Sequence, residues 1–90
     1  MGGSERRYRI EVTPAAARQL RKLDPQVARR VRGAIELLAV DPRPPASRPL
    51  RGRPGYRVGV GDYRLLYTVQ DDVLLVVLLR LGHRRDVYDR

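Results

Sequence analysis

Tyr56-Arg57-Val58-Gly59-Val60-Gly61-Asp62-Tyr63-Arg64-Leu65-Leu66-Tyr67-Thr68-Val69 is the stretch that decides the fold. Strict alternation sets Tyr56, Val58 and Val60 on one face and Arg57 and Gly59 on the other. After Gly61-Asp62 the alternation resumes, with Leu65, Tyr67 and Val69 against Arg64, Leu66 and Thr68. So short a turn requires an antiparallel hairpin. Gln70-Asp71-Asp72 supplies the next turn, and Val73 to Leu81 is apolar on both faces, as a central strand is. The expectation is a meander over 56–60, 63–69 and 73–81.

Upstream, Pro42, Pro44, Pro45, Pro49 and Pro54 punctuate residues 41–55, where neither a helix nor a central strand survives. That segment reads as a loop carrying Arg43, Arg48, Arg51 and Arg53 beside the sheet. Thr13-Pro14 and Asp24-Pro25 each pair an N-cap residue with proline at the first helical position. The first helix, to about Leu23, sets Ala17, Leu20 and Leu23 three apart; the second repeats Val27, Val31, Ile35 and Leu38 on one stripe. Joined so closely, they should form an antiparallel hairpin. Gly33 inside the second costs about 1 kcal/mol relative to alanine, and close helix packing is the expected reason. Tyr8-Arg9-Ile10-Glu11-Val12 alternates as a strand that must pair at a sheet edge. The fold class is therefore α+β: an N-terminal strand and an antiparallel helical hairpin packed on one face of a small, mostly antiparallel four-stranded sheet. Residues 1–7 read as a disordered lead and 8–90 as a single domain.

Composition narrows the function. The net charge is +9 and Lys22 is the only lysine, so arginine carries the excess and a polyanionic partner is implied. The absence of cysteine excludes disulfides and thiolate metal sites and fits a reducing cytoplasm. No apolar h-region follows the first residues and no run approaches a membrane span, so neither a signal peptide nor a membrane helix is expected.

If Val58, Val60, Leu65 and Tyr67 face the helices, the pleat turns Arg57 and Arg64 together to the uncovered face. The final turn should bring His83, Arg84 and Tyr88 near that face. Fixed positive charge, an imidazole and an aromatic ring on one surface suit the gripping of phosphates and the stacking of a base.

Four blocks then carry a resemblance: Pro49-Leu50-Arg51-Gly52, Tyr56-Arg57-Val58, Val60-Gly61-Asp62-Tyr63-Arg64-Leu65-Leu66-Tyr67, and Leu81-Gly82-His83-Arg84-Arg85-Asp86-Val87-Tyr88. Together they closely resemble the RelE branch of the RelE/ParE toxin superfamily over nearly the whole chain. The resemblance implies a ribosome-dependent endoribonuclease of a type II toxin-antitoxin system. Such an enzyme cuts messenger RNA in the ribosomal A site by driving the 2′-hydroxyl onto the adjacent phosphate. It implies no metal or other cofactor, and a cognate antitoxin with an acidic segment in a hetero-oligomeric complex. The implied catalytic set is Arg57 and Arg64 on the phosphate, Arg84 as charge stabiliser or acid on the leaving side, His83 as acid or base, and Tyr88 as a stacking or orienting ring. Arg48, Arg51, Arg53 and Arg85 are the implied RNA-binding residues. Gly59 departs from the pattern, standing where active relatives carry a second basic residue. Two other readings share the fold: a ParE-like inhibitor of DNA gyrase, and a toxin fold that has lost its chemistry and persists as a binding protein.

Overall fold

The computed structural model describes residues 7–87. Apart from Arg7, the expected lead lies outside the described residues, as does Tyr88. The chain forms β1 (Arg9–Val12), α1 (Pro14–Arg21), α2 (Pro25–Val40), β2 (Arg48–Pro49), β3 (Tyr56–Val60), β4 (Tyr63–Gln70) and β5 (Leu75–His83). The strands make one sheet in the order β1-β5-β4-β3-β2. β1 runs parallel to β5 at one edge, and the remaining pairs are antiparallel. The expected α+β architecture is present, with five strands in place of four. The additional strand is β2 in the proline-rich segment, where Arg48 pairs Arg57 and Pro49 pairs Tyr56. Proline is tolerated there because an edge strand has one side without a ladder partner.

The core lies between the helices and one face of the sheet. Ala16, Val31, Ile35 and Leu38 from the helices meet Val58, Leu65, Tyr67, Val76, Leu78 and Leu81 from the sheet. Thr13 does what its position promises: its hydroxyl accepts the Ala16 N–H at 3.1 Å, capping α1. Asp24 precedes α2 with an extended backbone, but its side chain makes no cap bond. β1 reaches only to Leu78 of β5, and α1 serves the longer strand beyond that point. Thr13 Oγ1 donates to the Leu79 carbonyl at 2.7 Å, and Gln19 Oε1 accepts the Leu81 N–H at 2.9 Å. Side chains thereby satisfy backbone groups that would otherwise be left unmade at the end of the parallel pair.

Two expectations require correction. The central strand begins at Leu75 rather than Val73, because Asp71 to Leu74 form the turn and Leu74 takes a left-handed φ of 53°. The Leu74 carbonyl accepts the Arg9 N–H at 2.8 Å, so the turn is fixed by β1, which the apolar run of 73–81 does not reveal. Gly33 is exposed, and an added methyl group there would meet nothing within 4 Å. Close helix packing is not its reason.

At the end of the sheet away from the β3–β4 turn, one carboxylate gathers four segments. Asp71 Oδ1 accepts from the Tyr8 hydroxyl at 2.6 Å, and Arg43 forks onto both Asp71 oxygens at 3.2 and 2.7 Å. Arg43 Nε also donates to the Tyr56 hydroxyl at 2.9 Å, with the guanidinium 5.3 Å from the centre of that ring. Alongside, the buried Tyr67 hydroxyl donates to the Pro42 carbonyl at 2.7 Å, which holds the start of the proline-rich segment. The hydrogen bond from Arg43, then that from Tyr8, holds the Asp71 carboxyl down at about 2, while Asp71 and Tyr56 push Arg43 up.

Two outcomes follow for stability. Gly33→Ala should raise the unfolding free energy by about 0.5–1 kcal/mol in urea titration, since the site is helical and open. Asp71 binds its proton less readily when folded, so its contribution is complete above the ordinary carboxylate range and is lost as pH falls from about 4 to about 2. Melting curves from pH 7 to pH 2 should show a loss of stability across that window that is smaller in Asp71→Asn.

Candidate functional site

The sheet face away from the helices carries Arg57 and Arg64, each placed by the pleat of its own strand. Gly59 lies directly opposite Arg64, and Gly82 follows on β5. Leu66 lies on this same face between Arg57 and Arg80 and is fully buried, so the arginine surface has a packed base of its own. The chain after β5 folds back over it. Arg84 N–H donates to the Asp62 carbonyl at 2.7 Å, Val87 N–H donates to the His83 carbonyl at 3.0 Å, and the Val87 side chain is buried beside Gly82. From the other side, the segment after β2 folds in with Leu50, whose N–H donates to the Gly55 carbonyl at 2.9 Å.

Between these walls is an open cavity of about 920 Å³, lined by Pro49, Leu50, Arg51, Arg53, Arg57, Arg64, Arg84 and Arg85. Three separate parts of the chain thus deliver six arginines to one place. None of the six takes part in an ion pair among the described residues. The arginines that are neutralised lie elsewhere: Arg9 on Glu11 at 3.3 Å and Arg43 on Asp71. No acidic side chain among the described residues lines the cavity. Arginine keeps its charge across the physiological range and presents a planar fork that matches phosphate oxygens. The cavity therefore favours a polyanion and supplies no proton acceptor from its described lining.

Of the residues named from the sequence, Arg51, Arg53, Arg57, Arg64, Arg84 and Arg85 converge here. Arg48 does not line the cavity; its Nη1 donates to the Pro45 and Ser47 carbonyls at 3.0 and 2.9 Å and so folds back on its own loop. His83 is displaced from the expected face. It pairs with Tyr63, whose alternation matches Leu65, and the imidazole packs edge-on against the Tyr63 ring at 5.8 Å on the helix side. The cause is the register shift between Leu66 and Tyr67 together with two further residues of strand, which carry β5 through His83 before the turn begins. His83 Nδ1 accepts the Arg85 N–H at 3.2 Å, so the imidazole braces the turn that presents Arg84 and Arg85.

Sequence reasoning did not find the close approach of Arg64 to Gly59. The Arg64 guanidinium lies over it: Nη1 would stand 2.8 Å from a carbon added at Gly59. The signal was available, since a two-residue turn at Gly61-Asp62 puts Gly59 and Arg64 opposite each other.

With this geometry in hand, the chain can be set beside known proteins. The family described as the ParE toxin of type II toxin-antitoxin systems, parDE, matches residues 10–88. Toxin RelG of Mycobacterium tuberculosis is 39% identical over 87 residues, covering 92% of this chain and 98% of the relative. Among solved structures, the RelBE2 toxin-antitoxin complex of Mycobacterium tuberculosis contains a chain that superposes with a TM-score of 0.79 at 33% identity, covering 90% of this chain and 95% of that one. The intact Escherichia coli RelBE toxin-antitoxin complex gives a TM-score of 0.75 at 28% identity, covering 84% and 95%. The chain belongs to the RelE/ParE family of type II toxin-antitoxin toxins, on its RelE side.

Proposed function

We propose that this toxin is a ribosome-dependent endoribonuclease that cleaves messenger RNA by attack of the 2′-hydroxyl on the adjacent phosphate. The observation that carries the reading is one cavity that gathers six arginines and, among the described residues, no neutralising carboxylate. The attack makes a bond from the 2′-oxygen to phosphorus and breaks the bond to the 5′-oxygen, leaving a cyclic phosphate and a free 5′-hydroxyl. Negative charge on the phosphoryl oxygens is redistributed on the way, and donors aimed at it from a fixed scaffold lower the barrier. Arg57 and Arg64 grip the scissile phosphate from β3 and β4, and Arg84 stabilises the leaving side from the turn after β5. Arg51, Arg53 and Arg85 hold the flanking backbone. Arg48 and His83 support from behind, the first within the loop and the second under the turn. Tyr88 retains its role as an orienting ring on the resemblance alone.

The cavity offers charge but, among its described lining, no side chain suited to take the 2′-hydroxyl proton. A toxin of this kind depends on what surrounds the message, which fits a reaction confined to the ribosomal A site. The RelBE neighbours are toxin-antitoxin complexes. By extension, a cognate antitoxin neutralises this chain in a hetero-oligomer, with an acidic segment drawn to the arginine face. No helix among the described residues is long and apolar enough to cross a membrane, and a cytoplasmic site of action follows from the target.

The matching family description names ParE, which supports a second reading as an inhibitor of DNA gyrase. Two assays divide the readings. Combined Arg64→Ala and Arg84→Ala should abolish growth arrest on induction, and purified toxin should leave gyrase supercoiling unaffected. Growth arrest that survives the double substitution contradicts the nuclease assignment, and inhibited supercoiling supports the alternative.

A further inference from the structure

Gly59 and Arg64 face each other across the β3–β4 hairpin on the arginine face. A carbon added at Gly59 would lie 2.8 Å from Arg64 Nη1, 3.3 Å from Cζ and 3.6 Å from Nε, so the guanidinium fills the space that a side chain at position 59 would take. Nη1 is held there by the Tyr63 carbonyl at 3.1 Å and the Gly61 carbonyl at 3.3 Å. Nε and Nη2 make no hydrogen bond among the described residues, and the arginine lines the cavity. Nothing else at position 59 calls for glycine. Its backbone lacks the left-handed φ of Gly52, Gly55 and Gly61, and the nearest atoms to the added carbon all belong to Arg64. Glycine inside a strand is otherwise unfavourable.

We propose that Gly59 is a positioning residue: by having no side chain it lets the Arg64 guanidinium lie over β3, where one arginine supplies the cation that a basic residue at position 59 would otherwise bring. Position 59 is two residues from Arg57 on the same strand face, about 7 Å along the strand. The folded-back guanidinium therefore joins Arg57 on the β3 side of the cavity. The cation beside Arg57 thus comes from β4 rather than from position 59 itself. The inference rests on reading the cavity as an RNA phosphate site.

The experiment compares the wild-type toxin with Gly59→Ala, Arg64→Ala and the double variant Gly59→Lys/Arg64→Ala. It measures binding of a short single-stranded RNA by fluorescence anisotropy over a salt series, the NMR signal of the Arg64 Nε–H group, and the melting temperature. Arg64→Ala should weaken binding about tenfold and reduce the salt slope by about 0.7, the value for one phosphate contact on a single strand. Gly59→Ala keeps every charge and should melt no lower than wild type, yet bind at least ~3-fold more weakly, because the guanidinium must move off a charge-assisted contact. Its Arg64 Nε–H signal should shift. The double variant should return to within ~3-fold of wild type, because a lysine at 59 places an ammonium in the vacated space. A folded Gly59→Ala with wild-type affinity and an unmoved Arg64 signal overturns the inference, as does a folded double variant no better than Arg64→Ala. Wild-type toxin that fails to bind RNA overturns the reading of the cavity as a site for free RNA phosphates instead, and the Arg64 signal in Gly59→Ala still tests the positioning.

Discussion

Like charges repel, and six guanidinium groups share one cavity here only because the backbone beneath them is held from both sides. On the helix face the core packs against β3, β4 and β5; on the arginine face Leu66 is fully buried and Val87 closes over Gly82. β5, the strand that leads to Arg84 and Arg85, is paired with β4 along one edge and with β1 along the other, and Thr13 and Gln19 take over where β1 stops. Among the described residues, both helices pack on the same face of the sheet. The uncovered face is therefore the place where charge can stand, and the packing beneath it is what makes that charge stationary.

Neutralisation is distributed so that the field is concentrated. Asp71 answers Arg43 at the far end of the sheet, Glu11 answers Arg9 at the β1 edge, and loop carbonyls occupy Arg48. None of these partners reaches the cavity. The Asp71 cluster also joins Tyr8 just before β1, the proline-rich segment, β3 and the β4–β5 turn. It thereby fixes the start of the loop that later supplies Arg51 and Arg53, so a structural ion pair at one end serves the arginine cluster at the other.

Most of this architecture was legible in the sequence because it follows from local periodicity. The alternation in Tyr56–Val60 and Tyr63–Val69 set the faces correctly, with Arg57 and Arg64 together and Val58, Leu65 and Tyr67 in the core. The two cap-plus-proline signals marked both helices. What failed depended on contacts between distant segments. The apolar run at Val73 hid a turn that β1 determines, and a two-residue edge strand in a proline-rich loop has no pattern of its own. His83 lies on the helix side because one register shift in β5 moves every later side chain, and nothing in the residues around Leu79 announces it. The residue type of Gly33 suggests close packing, whereas its surroundings are open. Gly59 looked like a gap for a related reason: a residue defined by having no side chain is understood only from its neighbour, and the neighbour is Arg64.

The central claim is that an arginine cavity with no proton acceptor in its described lining acts on messenger RNA together with the ribosome. The most direct test is to induce this chain alone in a bacterial host and map new 5′ ends on translated messages, with and without a block that keeps ribosomes off the message. The account predicts cuts inside reading frames that carry 5′-hydroxyl ends and vanish under the block. Growth arrest with no new ends, or cuts that persist without ribosomes, would contradict it.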